Sequence, residues 1–242
     1  MIDERRKNMQ DPNFRRDDFI DIMLKDDLFC KNDKAIIDEC MAFLFAGTQT
    51  TAINISETFH RLTQQKDILQ KVREELNQYF KVEDFKKLTK QQWKDMISYE
   101  SVTNLKYMSN CLNETFRVSP SVRVTSDFCF TEDIVLAGYT IPKGQDFNLM
   151  IYFLHRDPDQ WIEPDKYIPD RFDPESKWSL TPKGTKRNPF AFAPFLGGKR
   201  ICLGKTFAEA ISRIVVSMIF SQVEFDFVNP IYNTANPTNG LF

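Results

Sequence analysis

Residues 34–64 read as one long helix, and a segment of that length restricts the rest of the chain more than any other feature. Asn32 and Asp33 can cap its start, and Asp38 and Glu39 place negative charge in its early turns. An apolar run from Met41 to Phe45 continues through Ile53, Ile55 and Phe59. Such a helix is expected to be mostly buried inside a mainly α fold. Gly47 and the threonines at 48, 50 and 51 interrupt it, since each costs helix propensity or invites a side-chain bond to the preceding turn. A local break is expected there.

Composition removes several classes of function. The 242 residues are 42 % apolar and 27 % charged, enough to bury a sizeable core in one large or two small domains. A net charge of −2 and a pI near 5.8 give no overall pull toward nucleic acid or anionic lipid. No uninterrupted apolar run reaches about 18 residues, and MIDERRKNMQ is too polar for a signal peptide, so no membrane span is expected. With only His60 and His155, multi-His metal sites and most Ser-His or Cys-His triads lack parts. His155 reads as a structural hydrogen-bonding residue. Cys30, Cys40, Cys111, Cys129 and Cys202 are odd in number and contain no CxxC pair, which argues for a reducing compartment and against disulfides or a zinc knuckle.

Shorter elements follow. Phe19, Ile20, Ile22, Met23 and Leu24 predict a small amphipathic helix; residues 65–80 predict a surface helix with Ile68, Leu69, Val72, Leu76 and Phe80 on one stripe. Residues 102–118 predict another helix, ended by Ser119-Pro120. Residues 123–125, 134–136 and 139–141 read as short strands of one small sheet. Residues 157–195 hold most of the prolines but also Trp161, Phe172, Trp178, Phe190, Phe192 and Phe195, so an ordered, packed loop is expected. The last helix is expected at 203–221, with Phe207, Ile211, Ile214, Val215 and Met218 on one face, before a strand in VEFDFV.

Gly197, Gly198 and Gly204 crowd around Cys202 in FLGGKRICLG, directly before that last helix. Glycines permit unusual torsions and close approach, and a helix start offers free amides and a positive dipole end. That setting favours a thiolate, which can attack an electrophile, pair as a disulfide or bind a soft metal. Without a CxxC partner and with few histidines, ligation of a single iron survives best; a buried free cysteine at a glycine-rich turn is the other reading.

Phe195, Gly198, Arg200, Cys202 and Gly204 match FxxGxRxCxG, the haem-ligand loop of the cytochrome P-450 family, the haem-thiolate monooxygenases. The chain resembles that family in three further motifs, in the family's order: AGTQTT (46–51), ETFR (114–117) and PDRF (169–172). Pro120 with Arg123, GYTIPKG (138–144) and HRDP (155–158) with Trp161 and Pro164 extend the likeness through nearly the whole chain.

The resemblance implies a mainly α fold with a small β-sheet, residues 1–242 forming a single partial domain of the family. It implies haem b (iron protoporphyrin IX) as cofactor, with Cys202 as axial thiolate whose electron donation favours O–O cleavage. Phe195 would shield the sulfur, amide donors of the loop would tune it, Gly198 and Gly204 would belong to the cofactor-binding set, and Arg123 and Arg200 would hold the propionates. On the oxygen side, Gly47 would let the long helix open over the iron and Thr50, followed by Thr51, would hydrogen-bond oxygen and its waters. The family usually places an acid before this threonine; here Gln49 cannot titrate. Either Thr50 and ordered water deliver protons, or the chemistry needs none from outside, as in peroxide rearrangement. Glu114 and Arg117 would join Arg171 in a buried structural triad. Without the resemblance they read as an i,i+3 surface pair contributing about 0.2–0.5 kcal/mol.

The function so implied is insertion of one atom of O2 into an apolar small molecule, with electrons from a redox partner such as an NADPH-dependent reductase. Lys183, Lys186, Arg187, Lys199, Arg200 and Lys205 would present a basic face to an acidic donor. A non-catalytic haem-binding or structural fragment is one alternative; a haem-thiolate isomerase or dehydratase is another. The family's amino-terminal half, with its membrane anchor and most substrate loops, is expected to be absent, leaving apolar surface on the long helix. The full-length parent would lie on the cytoplasmic face of the endoplasmic reticulum, touching membrane only through that segment.

Overall fold

Asp18 caps the first well-formed helical stripe of the chain by accepting from the Asp21 amide at 3.1 Å. A computed structural model describes residues 1–11, 14, 16 and 18–224, and it divides between Thr50 and Thr51 into two compact units. In the first unit α1 (Ile2–Asn8) and α2 (Phe19–Lys25) precede α3 (Asp33–Gln64), whose first half belongs here. Met23, Leu24 and Ile36 form its small core. Buried Arg5 donates to Asp18 and Asp21 at 2.7 Å each, and Arg6 pairs with Asp33 and donates to the Cys30 carbonyl at 2.9 Å. Ile22, expected on the apolar face of α2, is exposed.

Helix α3 runs unbroken through Gly47, so the expected break is absent. The back-bonding is present: Thr50 Oγ1 donates to the Ala46 carbonyl at 2.7 Å and Thr58 Oγ1 to the Asn54 carbonyl at 2.8 Å. The expectation of a mostly buried helix is corrected. Ile37, Met41, Leu44 and Phe45 are exposed, Phe45 by 74 %, because α3 is apolar around much of its girth and only one stripe is covered. The exposed apolar surface expected on this helix is present.

The second unit contains α4 (Lys66–Phe80), α5 (Lys90–Met96), α6 (Tyr99–Thr103), α7 (Lys106–Val118), α8 (Ile151–Leu154) and α9 (Lys205–Gln222). Val72, Leu76, Trp93, Leu105, Met108, Val216 and Phe220 lie in its core, joined by Phe59 from the second half of α3. The helix expected over 102–118 is two helices. Ser98 and Ser101 cap α6 reciprocally, and Asn104 Nδ2 donates back to the Glu100 carbonyl at 3.2 Å, closing its end. The first amides of α7 at Tyr107 and Met108 then donate to the Glu75 carboxylate of α4 at 2.7 and 2.8 Å.

Two small antiparallel sheets replace the single one expected. β1 (Phe128–Cys129) pairs with β4 (Asp146–Phe147), and β2 (Ile134–Leu136) with β3 (Tyr139–Ile141). Ala137 and Gly138 join β2 to β3 with φ of 51° and 85°, the paired positive torsions of a two-residue hairpin turn. Residues 123–125 form no strand; Thr125 instead exchanges hydrogen bonds with the Leu149 backbone, donating N–H to O at 3.1 Å and accepting at Oγ1 at 2.9 Å. The 157–195 segment is ordered as expected, with short 3-10 turns at Pro169–Phe172, Lys177–Ser179 and Pro189–Ala191 and a buried Trp161.

Helix α9 turns a different face inward from the one expected. Ala210, Ser212, Val216, Ser217 and Phe220 are buried while Phe207 and Met218 are exposed, because this helix has apolar side chains on every side and periodicity cannot choose among them. The strand expected in VEFDFV falls mostly outside the described residues. No described helix is long and apolar enough to cross a membrane.

Candidate functional site

Positive φ at Leu196 (60°) and at Gly198 (66°), the first residue of the 3-10 turn at Gly198–Arg200, turns the backbone twice. That path brings the Cys202 amide to the Phe195 carbonyl at 2.9 Å, while the Leu196 amide donates to the Ala193 carbonyl at 3.1 Å. A Cβ at Gly197 would stand 3.0 Å from Cε1 of Phe190, so glycine here permits a close ring approach. Gly204 occupies the position just before α9. Cys202 is a free, exposed cysteine, which corrects the alternative of a buried thiol. Its chain neighbours Ile201 and Leu203 are exposed, as are Phe190 and Phe207 on the flanking turns. Phe195 stacks edge-on against Phe116 at 5.0 Å between centroids.

Arg123 and Arg200 are exposed and form no ion pair or side-chain hydrogen bond among the described residues. Arg123 lies over the Tyr152 ring at 5.8 Å. An exposed sulfur, an apolar surround and the unpaired Arg200 guanidinium two residues away fit a large flat apolar group carrying a carboxylate and a thiolate-binding metal, while no hydrogen bond among the described residues joins Arg123 to this loop.

Glu114 and Arg117 face inward from α7 and are wholly buried, so the surface-pair reading of them is corrected. Glu114 accepts from Arg117 Nε and Nη2 at 2.7 and 2.8 Å, from Arg171 Nε at 3.1 Å and from the Ile168 amide at 2.7 Å. The remaining guanidinium N–H groups donate to carbonyls: Arg117 to His155, Pro164 and Lys166, Arg171 to Ile162 and Glu163. Burial pulls the Arg171 pKa down, while Glu114 acts to raise it.

Arg187, expected on a basic surface, is half-buried instead. Its guanidinium lies 4.0 Å above the Trp161 ring and donates to the Trp178 carbonyl at 2.6 Å, and Arg117 approaches the same ring at 5.0 Å. Burial, then repulsion from Arg171 and Arg117, lowers the Arg187 pKa to about 10. Lys183, Lys186, Lys199, Arg200 and Lys205 remain exposed.

His155 is fully buried and its Nε2 accepts the Ala193 amide proton at 3.0 Å. Burial first, then the Arg117 charge, depresses its pKa to about 4, while the Arg117 and Phe116 carbonyls oppose the shift. The sequence holds no signal joining 155 to 193. The cap that Glu75 of α4 places on the start of α7 is likewise invisible in periodicity, since its partners lie over thirty residues away.

Gly47, Gln49 and Thr50 belong to the first unit and Thr51 opens the second. Gln49 is exposed, a Cβ at Gly47 would meet no atom within 4 Å, and buried Thr51 Oγ1 has no hydrogen-bond partner among the described residues.

A sequence model of the family described as Cytochrome P-450 matches residues 1–237. The chain is 32 % identical over 207 residues to cytochrome P-450 4F8 of Homo sapiens, covering 83 % of this chain and 36 % of that relative. It is 31 % identical to cytochrome P-450 3A11 of Mus musculus (87 % and 40 %) and 30 % identical to cytochrome P-450 3A6 of Oryctolagus cuniculus (90 % and 41 %). The chain thus spans about two fifths of the length of these curated relatives.

Proposed function

Because the chain belongs to the cytochrome P-450 family, we propose that it carries the thiolate side of a monooxygenase, in which the Cys202 sulfur would hold the iron of haem b. One observation carries the reading: an exposed cysteine sulfur on a loop closed by the Cys202–Phe195 backbone bond and flanked by exposed apolar side chains. Large apolar side chains left in water mark surface built to be covered. Bound haem supplies a redox-active iron that activates dioxygen with electrons from a partner.

This chain's residues do the rest. The loop bond holds the backbone that carries the sulfur, and the Phe195 ring, braced on Phe116, supports shielding of it. Arg123 and Arg200 offer unpaired forks to the propionates. By the family resemblance, Gly47, Gln49, Thr50 and Thr51 of the AGTQTT motif would serve the oxygen side. Thr50 donates its hydroxyl proton to the Ala46 carbonyl, and the Gln49 amide can orient water without titrating. Exposed Lys183, Lys186, Lys199, Arg200 and Lys205 suit an acidic electron donor such as an NADPH-dependent reductase. We read the substrate as an apolar small molecule and the parent protein as facing the cytoplasm from the endoplasmic reticulum.

The test uses the haemin-reconstituted chain. Oxygen consumption that needs NADPH and reductase and rises with an apolar substrate is expected. Peroxide turnover with no response to reductase would favour the isomerase-type reading that Gln49 supports. Neither activity would leave a structural fragment.

A further inference from the structure

We propose that His155 is a positioning residue for the thiolate loop, its neutral imidazole accepting the Ala193 amide proton and thereby fixing the backbone on which the Phe195–Cys202 turn is built. The inference rests on Cys202 as the ligand for its consequence, though not for its geometry. Among the described residues, the Ala193–His155 bond is the one hydrogen bond joining 191–204 to a distant part of the chain. From Ala193 the connection continues locally. Its carbonyl accepts from Leu196 at 3.1 Å, and the Phe195 carbonyl accepts from Cys202 at 2.9 Å.

The His155 main chain is held as well, while ring Nδ1 has no hydrogen-bond partner among the described residues. The His155 carbonyl accepts from Arg117 Nη1 at 3.0 Å, and Arg117 is clamped by Glu114. The residue therefore links the buried triad to the cysteine loop across 38 positions. An accepting Nε2 requires the neutral ring with its proton on Nδ1. An imidazolium would confront the Ala193 N–H with a second donor. The charged groups acting on the ring are the cations Arg117 and Arg156, both of which favour the neutral form. A simpler role also exists, since the ring packs 5.3 Å from Phe192 and fills space.

Two variants separate these roles: His155→Gln keeps an acceptor, and His155→Phe keeps ring and volume. In the full chain without haem, hydrogen–deuterium exchange over 191–204 is expected to be about tenfold faster in the Phe variant than in the Gln variant, the effect of one lost hydrogen bond. With haemin and carbon monoxide, the Phe variant should lose much of the red-shifted Soret band that the Gln variant retains. Equal exchange in the two variants, or wild-type protection in the Phe variant, overturns the proposal. Should the variants not fold, two-bond 1H–15N correlation on the wild-type chain decides, since only two histidines contribute. An Nδ1–H tautomer at His155 is expected, and an Nε2–H tautomer overturns the proposal. Normal protection and tautomer with no red-shifted band would count against Cys202 rather than against His155.

Discussion

The Glu114 carboxylate meets Nε of Arg171 at 3.1 Å although 57 positions separate them and neither side chain is exposed. With Arg117 on the same carboxylate, two cations share one anion in the interior. The excess charge is tolerable because the other guanidinium N–H groups end on main-chain carbonyls, converting the irregular loop at 162–168 into the acceptor shell of the triad.

Removing one member should therefore be costly. Arg171→Ala is expected to lower unfolding free energy by about 3–5 kcal/mol, because it orphans buried carbonyls and part of a buried charge set. Urea denaturation of the two proteins measures this. A loss below about 1 kcal/mol, the range of exposed pairs, would show that the triad does not hold the loop.

Glu75 provides the acceptor for two α7 amides. Glu75→Ala is expected to destabilise by about 1–3 kcal/mol through unsatisfied donors, and Glu75→Gln by less, since one carbonyl oxygen remains. Burial raises the Glu75 pKa above the ordinary carboxylate range. Hydrogen exchange at the Tyr107 and Met108 amides should speed up in the Ala variant before global unfolding does.

His155 should make stability fall as pH drops. It titrates near 6.5 when unfolded and near 4 when folded, so between those values the unfolded state binds the proton more tightly. The stabilisation is complete above about pH 6.5 and is lost toward pH 4, on the order of 3 kcal/mol in all. His60 is shifted in the same direction by burial, so the difference between wild type and His155→Gln isolates the His155 share. Parallel stability–pH curves for the two would contradict the assignment.

Gly47 has open space where a Cβ would go. Gly47→Ala should stabilise α3 by up to about 1 kcal/mol, as expected for a helix interior. If Gly47 also serves the oxygen side, reductase-coupled turnover should fall although stability rises. A rise in both would remove Gly47 from the site.

What the sequence disclosed follows from where the causes lie. The α4 stripe of Ile68, Leu69, Val72 and Leu76 was legible because a charged opposite face left one way to bury it. The α9 face was not, because Phe207 and Val216 are equally apolar and only neighbouring helices decide between them. The split between α6 and α7 depends on Glu75, and the loop anchor on His155, both long-range partners without a local signal. The cysteine loop was legible as a density of glycines, yet one of its positive torsions falls on Leu196, which composition does not mark.

The reduced carbon monoxide spectrum of the haemin-reconstituted chain, compared among wild type, Cys202→Ser and Cys129→Ser, tests the role of Cys202 most directly. Both cysteines are exposed, so the two substitutions are matched in burial. The strongly red-shifted Soret band of thiolate ligation should be present in wild type and Cys129→Ser and absent from Cys202→Ser; its persistence without the Cys202 sulfur would contradict the assignment.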